Sequence, residues 1–227
     1  TMMISSVGEA AVSGVSLVDM FNNLVFSVLA ALATGGAVVT SQYLGAGRPE
    51  KACRSARQLI YTAGLIAIVV TVLSVLFHRP VLSLLFGSIE ADVMQNAIIY
   101  MVISALSFPM LAVYNAAAAL FRSMGNSQIT LKVSILMNLV NIAGNAICIF
   151  GLHMGVAGVA VPTLVSRTMA GIILYILLRR PENVIRIERG RFYFDFEEVK
   201  RILYIGSPSG IENGIFQLGR VLVVSII

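Results

Sequence analysis

The hydrophobic pattern of this chain is one of long apolar blocks parted by short polar stretches. From Val15 to Gly47 the only charge is Asp19, a block longer than the roughly 20 residues a helix needs to cross a bilayer. It turns basic at once, with Arg48, Lys51, Arg54 and Arg57 at near-helical spacing after a Gly45/Gly47 break. Residues 1–14 are short and small, and read as the exit of a preceding helix with a turn at Gly8-Glu9. Six membrane helices are predicted. The first covers about 15–42. The second, about 59–77, holds no charge. The third, about 94–121, contains Pro109, which should kink it. The fourth covers about 133–150. The fifth, about 156–178, carries Pro162 and Arg167. The sixth, about 202–227, carries Glu212 and Arg220.

The polar stretches set the orientation. The loops after the first, third and fifth spans share one side of the membrane and hold 13 of the 16 basic residues. The opposite loops hold Arg79, beside Glu90 and Asp92. By the positive-inside rule the basic loops are cytoplasmic. The longest of them runs from Arg179 to Arg201. Its second half, from Phe192 to Arg201, reads either as an amphipathic helix lying in the interface or as a plain connector.

Composition agrees with this pattern. Hydrophobic residues make up 58% of the chain and charged residues 12%, against about half and a quarter in soluble domains. The net charge of +5 belongs to the cytoplasmic loops, so no nucleic-acid partner is expected. Cys53 and Cys148 are too few and too far apart for a disulfide framework or a metal site. The chain begins Thr1-Met2-Met3, without a basic leader, and stops at Ile227 inside an apolar run. It is expected to be a piece of a longer protein.

Three stretches carry a family resemblance. One is Gly35-Gly36-Ala37 through Ser41-Gln42-Tyr43-Leu44-Gly45-Ala46-Gly47. Another is Leu120-Phe121-Arg122-Ser123-Met124-Gly125-Asn126-Ser127, followed by Asn138, Asn141 and Ile149-Phe150-Gly151. The third is Gly155-Val156-Ala157-Gly158-Val159-Ala160 with Ser166-Arg167, and later Gly206-Ser207-Pro208-Ser209-Gly210-Ile211-Glu212. In their order and spacing they resemble the multidrug and toxic compound extrusion (MATE) transporters, in the bacterial DinF/NorM-like branch. The resemblance implies an all-α polytopic membrane protein whose six spans match family helices two to seven. These make up most of the amino-terminal lobe of a twelve-helix fold. Residues 1–178 would belong to that lobe, 179–201 to a cytoplasmic inter-lobe loop with its amphipathic helix, and 202–227 to the first helix of the other lobe. The family's cytoplasmic amino terminus agrees with the charge argument.

A charge at the centre of a membrane helix costs roughly 2.5–3.5 kcal/mol on insertion scales, so polar groups inside the spans are the candidates for function. Asn138, Asn141 and Asn145 follow one another at spacings of three and four, which places them on one helix face. They either line a cavity and bind a cation or substrate, or hold neighbouring helices together at about 1 kcal/mol per pair. In related transporters an aspartate often stands at the position of Asn145, as part of an amino-lobe cation site. Asparagine cannot release a proton, which puts simple proton coupling through this helix in doubt. Asp19, with Asn22 and Asn23, either lines the outer cavity or sits near a helix amino terminus, favoured by the dipole. Glu212 is either a functional acid or an interfacial structural carboxylate. Arg167 should pair with an acid or with carbonyls freed at the Pro162 kink.

The resemblance implies a secondary active multidrug exporter. Entry of H⁺ or Na⁺ would drive alternating access and expel small amphipathic or cationic compounds. No cofactor beyond the coupling ion is expected, and the full-length protein is expected to be a monomer among the lipids of the bacterial inner membrane. The alternatives are a lipid-linked oligosaccharide flippase of the same superfamily and a non-transporting structural membrane subunit. The flippase is disfavoured because only Arg167 and Arg220 place cationic charge inside the spans. An enzyme is not expected: there is no His/Glu metal pair, nucleophile elbow or phosphate-binding loop.

Overall fold

The computed structural model describes residues 8–86, 90–187 and 194–226, and these are helical or in short turns. In order, the helices are α1 (Glu9–Gly45), α2 (Pro49–Leu76), α3 (His78–Phe86), α4 (Ala91–Ala105) and α5 (Phe108–Ser123). They are followed by α6 (Ser127–Ala146), which a π-helical turn (Ile147–Gly151) continues, then α7 (Ala157–Leu178) and α8 (Phe196–Ile226). Each expected span has its helix. The turn expected at Gly8-Glu9 is present: Gly8 holds φ at 134°, a value open to glycine because it lacks Cβ. The expected exit of a preceding helix, at residues 1–7, lies outside the described residues.

Length and apolarity alone pass α1, α2, α6 and α7 as membrane spans, with the bent pair α4–α5 as a fifth. The sixth expected span, α8, has the length at 31 residues. Glu212, Asn213, Gln217 and Arg220 dilute its apolar character. A second correction concerns the long loop. The segment from Phe196 to Arg201 is not a separate interfacial helix; it forms the opening turns of α8. Asp195 caps it, its Oδ1 accepting from the backbone N–H groups of Glu197 and Glu198 at 3.2 and 3.5 Å, so the helix starts there.

α1 is the central element and packs against α2, α4, α5 and α8. Helices in lipid associate through close packing, so small residues are needed where backbones meet. A Cβ on Gly35 would come within 2.5 Å of the Gly206 backbone on α8, and one on Gly36 within 2.3 Å of the Leu59 side chain on α2. Outward positions are large and apolar, including Leu65, Val69 and Val72 on α2 and Leu131, Ile135 and Leu139 on α6. Such faces suit hydrocarbon.

The kink of the third span has a specific construction. α4 and α5 meet at an angle of 48° across Leu106 and Ser107. Pro109 has no N–H to offer the carbonyl four residues back, at Ala105. The Thr71 hydroxyl of α2 donates to that carbonyl instead, at 2.9 Å. The same repair occurs on α8. Pro208 frees the Tyr204 carbonyl, and the Ser207 hydroxyl donates to it at 3.3 Å.

The helix ends support the orientation read from charge. At the end predicted to be cytoplasmic, Arg54 pairs with Asp195 at 2.8 Å. The Tyr43 hydroxyl donates to Glu198 and accepts from Arg201 at 2.7 Å. The Cys53 Sγ lies 3.6 Å from the Val184 carbonyl. The loops after the first and fifth spans are therefore on one side, and α8 begins there too. A cavity of about 450 Å³ lies among Tyr43, Lys51, Arg54, Asp195, Glu198 and Arg201.

Candidate functional site

The asparagine stripe meets α7. α6 and α7 approach closely because Gly144 faces Pro162, where a Cβ would come within 2.8 Å of the proline ring. Beside this contact the Asn141 Nδ2 donates to Thr163 Oγ1 at 3.1 Å, with Ser166 Oγ at 3.5 Å. Asn145 Nδ2 donates to Asn141 Oδ1 at 3.1 Å. Thr163 and Ser166 pass their own protons to backbone carbonyls of α7, Val159 at 2.9 Å and Thr163 at 3.2 Å. Their lone pairs are thus free to receive the amide. The chain of donors starts at Asn145 and runs to the Val159 carbonyl; at its head Asn145 Oδ1 is buried and accepts no hydrogen bond. A buried amide oxygen left open has already lost its water, so it can receive a cation or a donor group with no further desolvation of the site.

Asn138 does not join this cluster. It is exposed, and its amide donates to Ser134 O of its own helix at 2.9 Å. The stripe exists as geometry, but of its members only Asn141 bonds α7, and Asn145 joins through Asn141.

A second polar group lies at the break between α4 and α5. Asp19 is not near a helix terminus. α1 begins at Glu9, ten residues earlier, or about 15 Å along the axis, so the dipole reading fails. The Tyr100 hydroxyl of α4 donates to Asp19 Oδ1 at 2.8 Å. Asn22, 6% exposed, lies 3.4 Å from the Ser104 hydroxyl. Ser107, in the break itself, donates to Ser104 O at 2.6 Å. Arg167 of α7 donates through Nη1 to Ser107 Oγ at 3.0 Å. Arg167 thus takes neither of the partners expected for it. It bonds a hydroxyl at the other kink. Glu212 is exposed on α8, which packs chiefly on α1, and joins neither group. The Arg220 side chain lies outside the described residues.

Sequence reasoning missed Thr163, Ser166, Tyr100, Ser104 and Ser107. For two of them, Thr163 and Ser166, a signal was present. Thr163, Ser166 and Arg167 recur at three and four residues on an apolar span, so they share a face. Nothing local marks Tyr100, which matters only because α4 folds against Asp19.

The chain resembles known proteins along its whole length. Residues 1–147 match the MatE family. The chain is 29% identical, over all of its length, to the uncharacterized transporter YisQ of Bacillus subtilis, covering 50% of that protein. It is 31% identical over 226 residues to the Probable multidrug resistance protein NorM of Thermotoga maritima, covering 96% of this chain and 47% of that one. It therefore spans about half the length of the curated relatives it matches. Its fold superposes on the inward-facing conformation of a multidrug resistance MATE family transporter of the MOP superfamily, with a TM-score of 0.89 at 21% identity. That match covers 99% of this chain and 51% of the other. The outward-facing conformation of such a transporter gives a TM-score of 0.83 over 93% of this chain and 47% of the other. With its apolar spans, its buried polar groups and the family match over most of its length, this multi-pass membrane chain belongs to the MatE family.

Proposed function

We propose that the protein is a secondary active multidrug exporter, in which entry of H⁺ or Na⁺ drives alternating access. It takes small amphipathic or cationic compounds, works as a monomer in lipid and needs no cofactor beyond the coupling ion. The observation that carries this reading is the Asn141–Asn145–Thr163–Ser166 cluster. It places amides and hydroxyls between two apolar spans and leaves one buried amide oxygen open. A structural subunit would gain nothing from an open acceptor in hydrocarbon. An exporter needs polar groups that can bind and release a cation within the membrane. Relatives described as multidrug resistance proteins support the same reading.

The test is drug accumulation in an efflux-deficient bacterium expressing the protein as naturally encoded. Ethidium or norfloxacin accumulation should fall, and Asn141→Ala should restore it while leaving the protein level in the membrane unchanged. Equal accumulation with and without the wild-type protein would refute the exporter reading.

A further inference from the structure

At the outer end of the molecule a cleft of about 560 Å³ opens between α3 and α4. α3 lines it with His78 and Arg79, and α4 with Met94, Gln95, Ile98 and Ile99. The α4 positions follow one another at helical spacing, so they form one face.

That face changes character with depth. Asp92 and Gln95, three residues apart, lie in its first turns, and Ile98 and Ile99 lie a turn further into the span. Eight residues separate Ala91 from Ile99, or about 12 Å of helix. The facing side is polar. Arg79 is the one arginine or lysine of the outer loops. It is exposed and bonds none of the described residues, although Glu90 and Asp92, both exposed, belong to the start of α4. His78 Nδ1 donates to the Val75 carbonyl at 2.8 Å, which leaves its Nε2 as an acceptor. Around this rim Leu76, Phe77 and Leu84 are 66%, 50% and 86% exposed. Side chains of that kind on a membrane protein lie in hydrocarbon. The cleft therefore stands at the boundary between lipid tails and outer headgroups.

We propose that this cleft binds one glycerophospholipid of the outer leaflet, with a zwitterionic phosphoethanolamine head. The phosphate lies against Arg79 and Gln95, the ammonium toward Asp92 and His78 Nε2, and an acyl chain along Met94, Ile98 and Ile99. The proposal goes beyond the exporter reading and does not rest on it.

Each part of the lipid answers a feature of the cleft. A guanidinium without a carboxylate partner calls for an anion, and its planar fork suits phosphate oxygens. The carboxylates of Glu90 and Asp92 disfavour a head that is only anionic, and they give an ammonium its counter-charge. The isoleucine wall calls for hydrocarbon. A free phosphate would leave that wall bare, and an apolar cation would leave Arg79 unanswered. The lipid would tie α3 to α4, the outer arm of the span that bends by 48° at Leu106 and Ser107, and so fix where that arm sits in the bilayer.

The test is native mass spectrometry of the naturally encoded protein, purified in detergent and stripped of lipid. Phosphatidylethanolamine should bind more tightly than phosphatidylglycerol or phosphatidylcholine of the same chain length. Arg79→Gln should weaken its binding about tenfold, the scale of one lost charge-assisted contact, and Arg79→Lys should weaken it less. Asp92→Asn should weaken phosphatidylethanolamine and leave phosphatidylglycerol unchanged. Glycerophosphoethanolamine, the same head without chains, should fail to displace the lipid. In vesicles of phosphatidylethanolamine and phosphatidylglycerol, a photoreactive benzophenone side chain in place of Ile99 should become attached to lipid, and Arg79→Gln should reduce that product. Arg79 and Asp92 are exposed, so their variants should unfold at the wild-type temperature when lipid-free. Should Arg79→Gln fail to fold, Asp92→Asn and the attachment at position 99 decide. Binding equal in Arg79→Gln and wild type would overturn the proposal. So would phosphatidylglycerol binding as tightly as phosphatidylethanolamine, displacement by the chainless head, or attachment at position 99 to another segment of the protein instead of lipid.

Discussion

Asn141 carries two kinds of contact at once: it donates to α7 and supports Asn145 on its own helix. Interhelical hydrogen bonds in membrane proteins average only about 0.6 kcal/mol in double-mutant cycles, with a maximum near 1.7. Asn141→Ala should therefore cost no more than about 2 kcal/mol in unfolding by denaturing detergent. A larger loss would mean that the cluster is mainly structural. The cluster was half legible in the sequence. Asparagines three and four residues apart on an apolar span can be read as one face without any fold. Which of them faces a partner cannot be read that way. Asn138 obeys the same spacing and yet bonds only its own backbone, because α7 crosses α6 at Gly144 and not further toward the start of the helix. The Asp19–Tyr100 contact spans 81 positions of sequence, and no local pattern could announce it.

At the scale of elements, the prolines show how a broken helix is made stable. The Ala105 carbonyl, stripped of its partner by Pro109, is satisfied by Thr71 from the neighbouring helix. Thr71→Val keeps the shape and leaves that carbonyl unpaired, which should cost about 1–3 kcal/mol. Pro109→Ala restores a backbone N–H in the right place. The double variant should recover most of the loss, and a thermodynamic cycle in denaturing detergent reads the coupling directly. Simple additivity would show that Thr71 does not repair the kink. The sequence revealed the kink through Pro109, since a ring without N–H breaks the ladder wherever it sits. It could not reveal the Thr71 repair, which depends on how α2 lies against α4 and α5. For α8 the difficulty was different. The second half of the long loop reads equally as an interfacial amphipathic helix or as a plain connector. Asp195 and Glu198, spaced as in a capping box, instead start one continuous helix at Phe196.

At the scale of the molecule, spans and orientation were legible because lipid imposes length and charge asymmetry on any sequence that crosses it. The close seating of α8 on α1 was not legible, though its contact glycines, Gly35 and Gly206, stood among the residues that carried the resemblance. This seating is held at the cytoplasmic end by Tyr43, Glu198 and Arg201, with Arg54 and Asp195 alongside. The two parts should differ in strength. The Arg54 side chain is 48% exposed, so Arg54→Ala should cost under about 1 kcal/mol and less in high salt. Tyr43→Phe removes a hydroxyl that serves two charged groups and should cost about 1–3 kcal/mol. Thermal unfolding in mild detergent would order the two, and the reverse order would show that the exposed ion pair dominates the clasp.

The most direct test of ion-driven export is vesicle transport by the purified, naturally encoded protein. Reconstituted in liposomes, it should move ethidium against its gradient when an opposing gradient of H⁺ or of Na⁺ is imposed. Movement should stop when the gradient is collapsed, and Asn141→Ala should abolish it. Movement under neither gradient, or at the same rate in Asn141→Ala as in the wild type, would contradict the account of this chain as the ion-coupled, drug-expelling part of a transporter.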